Sequence, residues 1–279
     1  MSVTILLLIA SALLIVFAFG LKAKPQDAIY LFSKPGALVR ATLAMGVLMP
    51  IFAVAVVSIF DLDPAVKIAL VALSVAPIIP IVPTKLLQAG AAESYAMGLL
   101  VAAGVLAIVL VPVAMQLLGL VFDLPLRMSA ASVATLTFVT VLLPFGLGAA
   151  VHRFFPVLAK RIASPISKIA GIAVIVFFFV VFFSAAPAIW TLVGNGTVIA
   201  FAAFVLAGQA IGHFIGGPDP GQRAGLALST GSRHPGVALA IAQVNFPDQT
   251  LATAAVLLYL LVTALVSIPY LRWAKHRRQ

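Results

Sequence analysis

Three features predict an all-α, polytopic membrane fold of about nine spans, built from inverted units that each carry a broken helix. Hydrophobic residues make up 63% of the 279 positions and charged residues 9%, whereas soluble domains average about 25% charged residues. Apolar runs near the roughly 20 residues that a span needs recur at about 3–20, 36–60, 66–90, 92–118, 131–151, 165–187, 197–215, 222–244 and 249–271. Two of these runs are interrupted by helix breakers, one at Pro77, Pro80 and Pro83, the other at Gly231, Pro235 and Gly236.

The first run, Val3 to Leu21, lacks the basic leader of a signal peptide, and Lys22 and Lys24 follow it; it reads as a retained span with an outward N-terminus. That orientation puts Lys22, Lys24, Lys34, Arg40, Arg153, Lys160, Arg161, Lys168, Arg223, Arg272, Lys275, Arg277 and Arg278 on the inner side. Only Lys67 and Arg127 fall outside, with Asp61, Asp63, Asp123 and Asp248. The bias is the one expected of cytoplasmic loops, so the net charge of +10 orients the chain and does not call for nucleic acid. The expected location is a bacterial inner membrane, with residues 272–279 as a basic cytoplasmic tail. No cysteine is present, which excludes disulfides, thiolate metal sites and thiol catalysis.

The segment Ser229-Thr230-Gly231-Ser232-Arg233-His234-Pro235-Gly236 carries the functional signal. An arginine at bilayer depth costs about 2.5–3.5 kcal/mol on insertion scales and persists where protein or water surrounds it. Backbone freed by a break is tolerated at that depth only when it lines a cavity or is buried. The stretches Ile68–Pro112 and Ala224–Pro269 each run as helix, break, half-helix, turn and long helix, in opposite directions. Secondary transporters build substrate sites where two such breaks meet. Each repeat supplies one cation, Lys85 beside Thr84 and Arg233 beside His234. The expected substrate-binding residues are therefore Arg233, His234, Ser229, Thr230, Ser232, Lys85 and Thr84. No metal site is expected.

The chain also resembles the bile acid:sodium symporter family along most of its length. The resemblance rests on Leu48-Met49-Pro50, Leu143-Pro144-Phe145-Gly146-Leu147-Gly148, Leu228-Ser229-Thr230-Gly231 and Val237-Ala238-Leu239-Ala240, and above all on their order and spacing. It implies a single transmembrane domain with two crossing broken helices. The core would comprise 36–118 and 197–271, and a panel 3–20, 131–151 and 165–187. It also implies alternating access for a small organic anion. Where family members carry an acidic residue, then glutamine and asparagine, this chain has Ser229, Arg233 and His234; where they carry serine and asparagine in the first broken helix it has Val82 and Pro83. Those family residues hold sodium through oxygen ligands, and an arginine offers no acceptor. The departures argue against sodium coupling and for no cofactor, with Lys85 and Arg233 taking the electrostatic role of two sodium ions. Sodium-coupled symport through backbone carbonyls and the Ser229 and Thr230 hydroxyls is the alternative left open here.

Competing structural roles are plain for several residues. Arg233 could cap helix-end carbonyls, Lys85 could snorkel to the interface, and His234 could fill a backbone gap as a neutral ring or titrate near neutrality. Gln209 and His213 share a face at i, i+4 and suit polar contacts between helices. Acids are almost absent from the spans, so neither a nucleophile with its base nor a metal cluster can be assembled. The expectation is a transporter and not an enzyme, a membrane sensor being the lesser alternative. Substrate identity, transport direction and oligomeric state are not legible in the sequence.

Overall fold

The computed structural model describes residues 3–277; Arg278, assigned above to the inner tail, lies outside the described residues. The described residues form helices and no strand beyond one isolated bridge. We number α1 (Val3–Gly20), α2 (Pro35–Ile59), α3 (Pro64–Val75), α4 (Val82–Ala89), α5 (Glu93–Phe122) and α6 (Ala130–Phe154). They are followed by α7 (Pro156–Ser184), α8 (Thr197–Ile215), α9 (Pro220–Thr230), α10 (Pro235–Asn245) and α11 (Ala252–His276). Among the described residues seven helices are long and apolar enough to cross a membrane. The pairs α3–α4 and α9–α10 are the two interrupted runs and bring the passes to nine.

Both broken helices start alike. Asp63 accepts a hydrogen bond from the Ala65 amide and is followed by Pro64; Asp219 accepts from the Gln222 amide and is followed by Pro220. A carboxylate cap followed by proline at the first helical position is a strong start signal. The halves then exchange partners, α3 packing on α10 and α4 on α9, as two oppositely directed units crossing at their breaks must do. Helix α4 resumes at Val82, so Pro83 lies in its first turn and the break itself spans Ala76–Ile81.

Two sets of helices pack closely within themselves, and α5 against α6 joins them. Helices α1, α6 and α7 lie against one another, while α8 packs on α9 and α11, and α2 on α3. Helix α8 approaches α9 through Gly208, Gly212 and Gly216, one glycine per turn. A Cβ on Gly208 would lie 2.8 Å from the Thr230 carbonyl oxygen, and one on Gly212 2.6 Å from that of Leu226. This small-residue seam brings the backbones together, the usual means of helix association in lipid.

Three boundaries depart most from expectation. The sixth span starts at Pro156 and not near 165, so Lys160 and Arg161, expected in a loop, are helical, and Pro165 sits inside α7. Ala159 and Ala163 pack with Leu21, and this contact supports the two extra turns. Helix α5 likewise continues to Phe122 past its internal Pro112, and α11 to His276, so residues 272–276 of the expected basic tail are helical.

Candidate functional site

The two breaks meet as a short antiparallel pair. Ile78 bridges Arg233, the His234 amide donates to the Pro77 carbonyl at 2.8 Å, and the Ile79 amide donates to that of Ser232 at 3.4 Å. Backbone groups freed by the prolines and glycine thereby satisfy one another, as the low-dielectric interior demands.

Arg233 is buried, with 1% of its surface exposed. Its Nη1 donates to the Ala76 carbonyl at 3.1 Å and its Nη2 to the Met45 carbonyl at 3.0 Å. Prolines explain why these two acceptors are free. Ala76 ends α3 with an extended backbone, ψ 148°, which the following Pro77 favours, so its carbonyl turns out of the helix and away from any next-turn amide. Met45 lies in a π-helical turn, Ala44–Leu48, in which the Met49 amide pairs five residues back with Ala44. In that register Met45 would accept from residue 50, which is Pro50. A proline has no N–H to give, and π-turns commonly absorb such interruptions. One guanidinium therefore ties α2, the first break and the second break together with charge-assisted bonds. Its Nε has no hydrogen-bond partner among the described residues. Beside the group lies a cavity of about 40 Å³, walled by Thr42, Pro77, Ala103, Leu106 and others. It can hold water beside the Nε.

Tyr259 of α11 completes the crossing. Its hydroxyl donates to the Gly231 carbonyl at 2.9 Å and accepts from the Arg233 amide at 2.8 Å. The sequence reading missed this residue; a tyrosine in the middle of an apolar run was the available signal.

His234 caps α10. Its Nδ1 accepts from the Gly236 amide at 3.1 Å and the Val237 amide at 3.4 Å. An accepting Nδ1 puts the proton of the neutral ring on Nε2, which faces the Thr140 hydroxyl at 3.5 Å. Thr140 lies in a second π-helical turn, Phe138–Leu142, ahead of Pro144. Its own proton goes to the Leu136 carbonyl at 2.7 Å, which leaves the oxygen free to accept. An open crevice of about 460 Å³ separates the first turns of α6 from the last turns of α10. Ser132, Thr135 and Leu136 line one wall, Ala240, Gln243 and Val244 the other.

The remaining expected residues divide. Ser229 and Ser232 are buried with unpartnered hydroxyls, and Thr230 donates to the Leu226 carbonyl at 2.8 Å. Thr84 and Lys85 are half-buried in the first turn of α4, away from the antiparallel pair, and neither side chain makes a hydrogen bond or ion pair among the described residues. Gln209 reaches Ser267 at 3.2 Å and His213 reaches Tyr270 at 2.7 Å, so both act between α8 and α11 as expected. Among the described residues no group of acids and histidines could hold a metal ion.

A family model described as the sodium bile acid symporter family matches residues 7–192. The chain belongs to the sodium bile acid symporter family. It is therefore an integral membrane protein of a transporter family, as its apolar helices require. The match covers the first broken helix and ends before α8, so the roles of Arg233 and His234 rest on geometry. No curated protein matches the chain.

Proposed function

We propose that this symporter-family chain carries a small organic anion by alternating access without a sodium ion, Arg233 being the cation of the crossing. The carrying observation is the guanidinium donating to two proline-orphaned carbonyls, Ala76 and Met45. Carbonyl oxygens at helix ends are what a bound cation would use, and a tethered guanidinium already occupies them. In this reading helices α2–α5 and α8–α11 are the core, and α1, α6 and α7 the panel against which it moves. The lysine- and arginine-rich end is cytoplasmic and the N-terminus external, in a bacterial inner membrane.

The anion enters by the crevice between α6 and α10. Between the same two helices, one turn from the crevice residue Leu136, the His234 Nε2–H meets Thr140 at only a long distance. A carboxylate is the stronger acceptor and takes Thr140's place. The α10 N-terminus and the charge of Arg233 add to the attraction, with Ser229, Ser232 and Thr230 of the second break and Lys85 and Thr84 of α4 as further polar groups.

The test is uptake of a panel of organic anions into proteoliposomes, with sodium replaced by potassium at constant ionic strength. The apparent affinity is expected to change less than about threefold, under about 1 kcal/mol. A tenfold loss would restore sodium-coupled symport through Ser229 and Thr230 and overturn the proposal.

A further inference from the structure

At the basic end, Arg223 and Arg40 meet on the loop between α8 and α9, and Arg277 stands at the end of α11. Arg223 donates through Nε and Nη2 to the Gly217 carbonyl at 3.0 and 2.9 Å. Arg40 of α2 reaches the same glycine, its Nη1 pressing where a Cβ on Gly217 would be. Arg277 stacks over the Trp273 ring at 4.8 Å, and both Arg223 and Arg277 lie within electrostatic reach of the His213 ring. His213 in turn touches the Tyr270 and Trp273 rings.

None of these cations forms an ion pair among the described residues, although Asp219 of the same loop and Arg40 both act on the Tyr95 hydroxyl. Among the described residues the one ion pair is Lys67–Asp61, at the opposite end of the molecule. The nearest acid in sequence, Asp219, caps Gln222 and forms no ion pair with any arginine. Converging like charges repel, and an anion bound among them removes the cost. The surrounding surface says which kind of anion. Phe214 is 86% exposed and Trp273 41% exposed, both at helix ends where a membrane interface would lie, and exposed aromatics beside arginines suit the headgroup level. A soluble anion would not need them.

We infer that this cluster binds the phosphate of an anionic phospholipid, its glycerol and upper acyl chain lying on Trp273 and Phe214. Arg223 and Arg277 hold the phosphate and Arg40 adds long-range attraction. Basic pockets between helices on the cytoplasmic side hold anionic headgroups in this way. The inference rests on the chain spanning a membrane with its basic end at headgroup level; it requires neither the proposed substrate nor the proposed coupling.

The test uses the full chain purified in a neutral detergent, with dioctanoyl phosphatidylglycerol, dioctanoyl phosphatidylcholine and inorganic phosphate as probes and a dissociation constant read for each. Phosphatidylglycerol is expected to bind at least tenfold more tightly than either of the others. The double variant Arg223→Gln/Arg277→Gln should weaken it about thirtyfold. Arg272→Gln/Lys275→Gln, which removes equal charge from the same helix end, should change it less than about threefold. Should the double variant fold poorly, Arg277→Gln alone serves, since that exposed side chain makes no hydrogen bond among the described residues; about a fivefold loss is then expected. Equal binding of the two lipids, phosphate binding as tight as phosphatidylglycerol, or equal loss in the two double variants would each overturn the inference. Substrate uptake plays no part in these measurements, so a failed transport assay leaves them intact.

Discussion

Replacing Arg233 with glutamine tests the crossing most directly. The wild-type guanidinium satisfies two carbonyls left without a helical amide, because Pro77 turns Ala76 out of its helix and Pro50 stands where the donor to Met45 would be. Hydrogen bonds from charged donors contribute roughly 1.5–3 kcal/mol each, and a buried acceptor left unpaired carries a further desolvation cost. A glutamine amide is shorter and spans one carbonyl at most. Arg233→Gln is therefore expected to lose about 3–5 kcal/mol, a drop of order 10 °C in melting temperature. The freed Ala76 and Met45 oxygens are hard ligands facing a vacated space. Sodium should then stabilise the variant, by about 2.7 kcal/mol at a hundred times its dissociation constant, while wild-type protein stays indifferent to the choice of sodium or potassium. Arg233→Lys keeps the charge but not the fork and should fall between the two. The assay is thermal unfolding of detergent-purified protein in sodium and in potassium chloride, with anion binding measured on the same samples. Arg233→Gln protein of wild-type stability and unchanged anion affinity would refute the argument. Equal sodium sensitivity of variant and wild type would refute the tethered-cation part alone.

Three further outcomes follow from named contacts. Gly212→Val places carbon against the Leu226 carbonyl and the Ala227 backbone, which cannot yield as a side chain would; a loss of about 1–3 kcal/mol or more should appear as reduced folded yield, whereas the same change at Gly146, which faces open space, should be tolerated. His234→Asn retains a good helix cap but loses the Nε2 donor toward Thr140, so melting should move by less than about 1 kcal/mol while anion affinity falls roughly tenfold; a preserved affinity would remove His234 from the site. Single cysteines placed in this cysteine-free chain at residues 155 and 276 should be shielded from an impermeant thiol reagent in intact cells and those at 61 and 248 labelled, and external labelling at 276 would overturn the orientation.

The sequence by itself determined the all-helical membrane class, the two regions where apolar runs break (though Pro83, Pro235 and Gly236 prove to open the next helices) and the inter-helix role of Gln209 and His213. Each is a local property: an apolar run needs only its own length, a proline stops its own helix, and an i, i+4 pair shares a face wherever that face points. What Arg233 touches was decided only by tertiary structure. Ala76 and Met45 lie 157 and 188 positions away in the chain, and their carbonyls become acceptors through prolines that, read locally, merely interrupt helices. The π-turns at Ala44–Leu48 and Phe138–Leu142 were equally hidden, because one inserted residue leaves composition and periodicity nearly unchanged. The start of α7 at Pro156 was missed because Lys160 and Arg161 resemble a loop until Ala159 and Ala163 are seen against Leu21. The three glycines at 208, 212 and 216 stood in plain spacing, but a glycine stripe acquires meaning only from the helix pressed onto it. Local chemistry thus places the chain in its membrane. The buried charge finds its partners only when two distant breaks cross, since a guanidinium taken out of water must satisfy its donors with whatever acceptors the fold brings within 3 Å.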